Sequence, residues 1–310
     1  MGEAPYQLIA AEIRRRIEAG ELRPGDRVPS TRALVRDFGV AMATATKALQ
    51  ALQQERLVHP SPGVGTVVGP PPRANRPGAA PQRAVQLDGG GLDLHRAEVV
   101  RMGIAIADAE GLGALSMRRI AAELGVSTMA LYRYVGGKDA LVLQMVDTAI
   151  AEYPLPRKQP TGWRDGVAAV ARAQWAAYRR HLWLASAISL GRPQLLPNLL
   201  PHTDAVLRAL GRVDKTDALY AAISLFAYVR GVALAVESEA YAEQDTGLTA
   251  DEWVDRQGDQ LAALVTAGNL TGFRELLADD FDFEYDLDRL FEFGLELILD
   301  GLERRFTRLR

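Results

Sequence analysis

The chain has 310 residues, 48% of them hydrophobic and 24% charged, with no cysteine and a formal net charge of −3. That length and composition admit two or three domains with a sizeable core, and the lack of cysteine excludes disulfides, thiolate metal sites and thiol nucleophiles. His59, His95, His181 and His202 follow no ligand spacing, so no cofactor is expected. Neither an 18-residue apolar run nor a basic-plus-apolar leader stands out, which predicts a cytoplasmic protein without a membrane partner.

The acid surplus is regional. Residues 1–69 carry nine basic against seven acidic side chains, whereas residues 154–310 carry eighteen against twenty-three. For a nucleic-acid partner the regional balance matters more than the total.

Over residues 5–19, Ile9, Ile13 and Ile17 recur at every fourth position, an amphipathic helix that Gly20 ends. GELRPGDRVPS is a turn-rich connection, and Ser30 is placed to cap a helix of about two turns, with Gly39 making the next turn. A third helix is expected over 43–54. Leu57-Val58 and the stretch 66–68 then flank 61–65 as a small β-hairpin. Three helices and a hairpin make a winged helix. The glycines of GVGTVVG are not a nucleotide loop, because the third is misplaced and no strand-then-helix context surrounds them.

GELRPGDRVPSTRALVRDFGV, Thr44, Ala48-Leu49, Leu52 and GVGTVV resemble the DNA-binding head of GntR-type regulators. The resemblance implies that Arg32, Thr44, Gly63, Gly65 and Thr66 approach DNA. The chain departs from the pattern at Met42, where the family has a recognition arginine, at Ala41, where it has a capping serine, and at Pro62 and Val64 in the wing. An arginine–guanine contact is worth about 1–3 kcal/mol of discrimination, so base reading should be weakened, leaving Thr44, Thr46 and Lys47 as the polar groups of the third helix. The alternative is a ligand-binding protein whose N-terminal head serves assembly rather than DNA recognition.

Residues 70–93, rich in Pro, Gly and Ala, read as a linker. Its span is about 25–30 Å if flexible and up to about 70 Å if polyproline-like, enough for two heads to reach neighbouring turns of one duplex, about 34 Å apart.

A helix over 94–110 carries Val99, Val100, Met102, Ile104 and Ile106 and stops at Gly111-Leu112-Gly113. Ser116 can cap the next helix, whose Ile120, Ala121 and Leu124 share a face. Gly125 permits a tight turn, Ser127 can cap a short helix over 128–135, and Gly136-Gly137 end it. Two short helices about a glycine turn form a helix-turn-helix, whose second helix enters the major groove. Leu131 and Val135 should be core, and Arg133 is the strongest guanine or phosphate donor of that helix.

LSMRRIAAELGVSTMALYRYVGGKDAL closely resembles the DNA-binding head of TetR-type regulators. By that resemblance Thr128, Met129, Tyr132 and Tyr134 line the groove-facing side, and Lys138 meets a phosphate. The head is expected over 94–153.

Residues 154–310 read as helices over 163–181, 183–190, 193–211, 215–241, 250–267, 271–278 and 287–308. GRPQLLPNLLPHTDAVLRAL, LFAYVRGVALAVESEA and LFEFGLELILDGL resemble the effector-binding domain of proteins near the tetracycline repressor. The resemblance implies a homodimer built on a four-helix interface, with close approach at Ala227, Gly231 and Ala235 and apolar surface from Phe291, Leu295 and Ile298. It also implies an effector pocket within the bundle, for which Gln174, Trp175, Tyr178, Phe226 and Arg230 are candidates. Arg230, inside an apolar run, needs a partner such as Glu237 or Glu239. The acids of DDFDFEYDLD look like a solvated loop and cap, and no nucleophile, phosphate loop or metal cluster suggests an enzyme.

The sequence thus reads as a mainly all-α, homodimeric transcriptional regulator with two unrelated DNA-binding heads. Its partners would be a double-stranded DNA operator and a small-molecule effector whose binding releases a repressor.

Overall fold

The computed structural model describes residues 5–61, 65–69, 92–158, 160–278 and 285–306. Gly63, nearly all of the expected linker and most of the acid-rich stretch before residue 285 lie outside the described residues. The chain divides into two compact units, Met1–Ala74 with Ser238–Asp288, and Asn75–Glu237 with Arg289–Arg310.

In the first unit the N-terminal head forms α1 (Pro5–Glu18), α2 (Thr31–Phe38), α3 (Met42–Gln54), β1 (Val58–Ser61) and β2 (Gly65–Val68). The every-fourth-residue pattern of α1 has the expected effect: Ile9 and Ile13 are fully buried against Leu34, Leu49 and Leu52, and Ile17 packs at the edge. Each such side chain contributes about 1.5–3 kcal/mol. The Ser30 hydroxyl accepts the Ala33 amide at 3.1 Å, and Gly39 closes α2 with φ at 61°. Ala41, lacking a side-chain acceptor, leaves the start of α3 uncapped. The strands pair antiparallel from Val58 opposite Val68 to Ser61 opposite Gly65, forming a two-stranded wing.

The second unit begins with α4 (Leu92–Glu110), a 3-10 turn (Leu112–Ala114), α5 (Met117–Leu124), α6 (Thr128–Val135) and α7 (Lys138–Ala151). Both expected serine caps form. The Ser116 hydroxyl accepts from the Arg119 amide and that of Ser127 from the Ala130 amide, each at 3.2 Å. Gly125 turns the chain in the left-handed region at φ 67°, where other residues are disfavoured. Leu131 and Val135 are buried, pinning α6 by one side only.

Beyond α7 come α8 (Trp163–Arg180), α9 (Leu184–Ala187) and α10 (Leu200–Ala209). The helices expected over 183–190 and 193–211 are much shorter, and residues 188–199 are irregular. Pro193 and Pro197 disfavour helix at the residues before them, while Pro201 is tolerated in the first turn of α10.

A 32-residue helix, α11 (Lys215–Thr246), follows, then α12 (Ala250–Arg256), α13 (Gly258–Ala267), α14 (Thr271–Ala278) and α15 (Leu287–Arg305). One helix was expected over 250–267, but it breaks at Gln257-Gly258. Among the described residues α11 is long and apolar enough to cross a membrane by length and composition, with a mean hydropathy of 1.8 over its most apolar stretch. The expectation of no such run is corrected. The apolarity has two faces: Leu225, Val229, Val232 and Val236 are core, whereas Tyr220, Ile223, Ala227 and Gly231 point outward.

Candidate nucleic-acid interface and effector region

The helix-turn-helix of the second unit presents α6 by its unburied side. Met129 is 74% and Tyr132 46% exposed, Arg133 and Lys138 are exposed, and Thr128 and Tyr134 are half-buried. Two apolar anchors, a serine cap and the left-handed Gly136 hold the helix at both ends. The Arg96 Nε donates to the Tyr134 carbonyl at 3.0 Å, tying the helix end to α4. The face offers a thioether for thymine methyls, a guanidinium for guanine or phosphate, and hydroxyl and ammonium donors for the backbone.

On the winged head the expected contact residues are unevenly available. Thr66 is buried, Thr44 half-buried and Lys47 exposed, with its Nζ 4.4 Å from the centre of the Tyr6 ring. The Arg32 side chain, like Gly63, lies outside the described residues. Thr46, Gly65 and Thr66 do not face open solvent. They line a cavity of about 600 Å³ whose far wall includes Glu243, Asp251 and Glu252. The Thr46 hydroxyl reaches the Glu252 carboxylate at 3.5 Å.

The expected effector residues lie in the helices around α8. Gln174, Trp175 and Tyr178 are buried on α8, and Phe226 and Arg230 half-buried on α11. Trp175 stacks on Phe291 of α15, with centroids 4.6 Å apart and rings within 3° of parallel. Arg230 does not find its partner in Glu237 or Glu239. Its Nε donates to the carbonyl oxygens of Ala185 and Ile188 at 2.8 and 2.9 Å, holding the irregular stretch after α9, while Glu237 accepts from the Ser186 hydroxyl. Burial pushes the Tyr178 hydroxyl up to about 12, opposed by the nearby Arg230 charge.

His202 on α10, which packs against α8, was not among the expected site residues. It is 2% exposed, and burial pushes its imidazole down to about 4, so it is neutral at pH 7. Its Nδ1 and the Oε1 of Gln174 are buried without a hydrogen-bond partner. Such atoms cost about 1–3 kcal/mol each, and a ligand that pairs with them recovers that cost.

Two polar clusters join α4 and α7, which flank the helix-turn-helix, to this region, and sequence reasoning missed both. Asp108 of α4 accepts from His181 Nδ1 and Trp183 Nε1, each at 2.8 Å, and pairs with Arg180 at 3.2 Å. Asn198, in the irregular stretch before α10, donates its amide and its side-chain nitrogen to Asp147 of α7, both at 2.8 Å.

The expected dimer residues need correction. Phe291 and Leu295 are 1% and 0% exposed, core of the chain's own helices and packed towards α8, because α15 turns that side inward. Ile298 and Ala235 are half-buried, whereas Ala227 and Gly231 are exposed. The outward apolar side chains of α15 are instead Leu290, Phe293 and Leu297, matched on α11 by Tyr220 and Ile223.

Comparison with known proteins agrees with this geometry. The gntR-family model of bacterial regulatory proteins matches residues 5–68, the tetR-family model residues 103–145, and the tetracycline repressor-like C-terminal domain residues 155–306. The HTH-type transcriptional repressor DrrR1 of Streptomyces coeruleorubidus is 38% identical over 235 residues, covering 74% of this chain and 81% of that protein. The repressor MngR of Escherichia coli is 42% identical over 69 residues, or 22% of this chain and 29% of that one. Among solved structures, Streptomyces coelicolor ActR in complex with actinorhodin has a TM-score of 0.53 and 30% identity, covering 67% of this chain and 95% of ActR. The reading of the N-terminal head as an assembly module is therefore not favoured. With a capped, outward-facing recognition helix and a helical body of this kind behind it, the chain belongs to the TetR family of bacterial regulatory proteins and is a DNA-binding transcriptional regulator that carries a GntR-family head.

Proposed function

We propose that the protein is a homodimeric repressor released from its operator by a small, largely apolar effector bound beside α8 and α10. The observation that carries this reading is the pair of buried, unpartnered polar atoms, Gln174 Oε1 and His202 Nδ1, in two helices that pack together. An amide and a neutral imidazole in an otherwise apolar bundle are the few fixed polar groups that orient a mostly apolar ligand. The actinorhodin bound to ActR supports a ligand of that general kind.

Release follows from the connections to the DNA-binding helices. An effector that displaces residues 188–199 pulls on Asn198, which grips Asp147 of α7; α7 packs on α6. Small shifts there change the separation of the two recognition helices of a dimer, which must match about 34 Å. The ligand releases DNA only as far as it binds the shifted state more tightly. In the recognition face, Arg133 and Thr128 read base edges, Met129 meets a thymine methyl, and Tyr132, Tyr134 and Lys138 hold phosphates. The outward stripes of α11 and α15 supply the dimer interface, and the site of action is the cytoplasm.

The test is selection of operators from random duplex DNA with the full chain, repeated with Arg133→Ala and then with actinorhodin added. A palindromic motif lost in the variant and released by the ligand supports the reading. A motif that is indifferent to Arg133 refutes the assigned face. Operator release that persists in Gln174→Leu/His202→Leu refutes the assigned pocket.

A further inference from the structure

The DNA-facing side of the winged head is covered by an acidic part of its own chain. Arg27 stands beside the wing, bridging to Val67, with its guanidinium about 3.1 Å from where a side chain on Gly65 would begin. That guanidinium pairs with Asp251 at 3.2 Å and Asp286 at 3.6 Å, and all three side chains are largely buried. Glu252, one residue on, meets Thr46 on the outward side of α3, and it is fixed there by a reciprocal capping box with Thr249. A second groove continues the contact along α3, from Met42 and Lys47 to Asp255.

We infer that the acidic segment carrying Asp251, Glu252 and Asp286 and a DNA duplex compete for the same face of the winged head, so that this head reads DNA only when the segment lets go. The inference rests on the reading of the N-terminal head as a DNA reader. Carboxylates held against a wing and a recognition helix stand where phosphates would lie, and both cannot be accommodated. Half-buried Glu243, on the same cavity wall, has its carboxyl pushed up to about 7 by burial and by Glu239 and Glu252, as befits an acidic surface packed out of water. A head docked about nine-tenths of the time binds DNA about tenfold more weakly than a free one. The regulator would then work through its TetR-type head alone until the segment is displaced, and gain a second reader afterwards.

The test compares the full chain with Asp251→Asn/Asp286→Asn, and with Arg27→Gln, which breaks the same pairs from the other side. Hydrogen exchange of the α3 and β2 amides is measured without DNA, and motifs are selected from random duplex DNA. Faster exchange in both variants, with a second motif bound about tenfold more tightly and lost on Lys47→Ala, is the expected result. Unchanged exchange, with the second motif bound equally by all chains, overturns the competition and leaves the DNA reading intact. Faster exchange without any second motif overturns both, while the TetR-type motif still appears. Circular dichroism confirms that each variant is folded before either result is read.

Discussion

Replacing Asp108 by alanine should cost far more stability than its place near the end of α4 suggests. Its Oδ1 is shared by two donors, His181 Nδ1 and Trp183 Nε1, each at 2.8 Å, and both of those residues are 1% exposed. Removing the acceptor takes that partner from two buried ring nitrogens, leaving His181 only the 3.3 Å contact of its Nε2 with Glu152, and at about 1–3 kcal/mol each the loss is about 2–6 kcal/mol. The third partner, Arg180, is 55% exposed, and such a pair is worth about 0.2–1 kcal/mol. The informative comparison is therefore Asp108→Ala against Arg180→Ala, with Asp108→Asn between them because its oxygen still accepts. Thermal unfolding followed by circular dichroism should fall by about 5–15 °C for Asp108→Ala and by no more than about 2–3 °C for Arg180→Ala. Equal, small shifts for the two would refute the reasoning, since the buried donors would then have other acceptors within reach.

The remaining predictions concern the DNA face, the dimer and pH. Ser127→Ala removes the cap of the recognition helix and should cost about 1 kcal/mol of stability, weakening operator binding without altering the selected motif; a changed motif would mean that Ser127 itself reads DNA. Phe293→Asp with Leu297→Asp should yield a folded monomer in sedimentation, whereas Phe291→Ala should destabilise each protomer by about 3–5 kcal/mol. A dimer that survives the double change would rule out the outward stripe as the interface. Docking of the winged head should loosen as pH rises from 6 to 8. Burial first, then Glu239 and Glu252, pushes the Glu243 carboxyl up to about 7, and undocking removes the share of that burial due to the head, so the docked form is favoured at low pH and loses that advantage as pH passes through 7. Glu239, Asp251 and Glu252 face that site with like charge, and Arg27 and Arg256 with opposite charge. Hydrogen exchange of α3 should track the change, and Glu243→Gln should flatten it; a profile that is unchanged in this variant would assign the pH dependence elsewhere.

Local signals were the legible ones. The bounds of α6 follow from Ser127 and the Gly136-Gly137 pair, and the wing from the spacing of Val58 and Val68, because caps and turns act over three or four residues. Periodicity located α11 and α15 but could not say which apolar side is core and which points outward. Phe291 and Phe293 are two positions apart and equally apolar, and only packing against Trp175 makes one of them core. The stretch around Pro193 and Pro197 lies in a region that otherwise reads as helix throughout, although the prolines oppose helix at the preceding residues. Pairings between distant residues were invisible. Asp108 meets His181 across 73 positions and Arg27 meets Asp251 across 224, and nothing local marks either as special.

The brevity of α6 sets a ceiling on how much information one copy can extract from DNA. Eight residues make a rod about 12 Å long, which lies along about four base pairs at about 3.4 Å each. The proposed dimer, reading two half-sites, would thus specify at most about eight base pairs, a pattern that recurs by chance about once in 65,000 positions, while a genome offers about a million or more competitors. A regulator with this helix alone addresses many places. Each further base pair read by a second head on the same chain divides the number of false addresses by up to four, so a head with weak base discrimination still earns its keep as an addressing device.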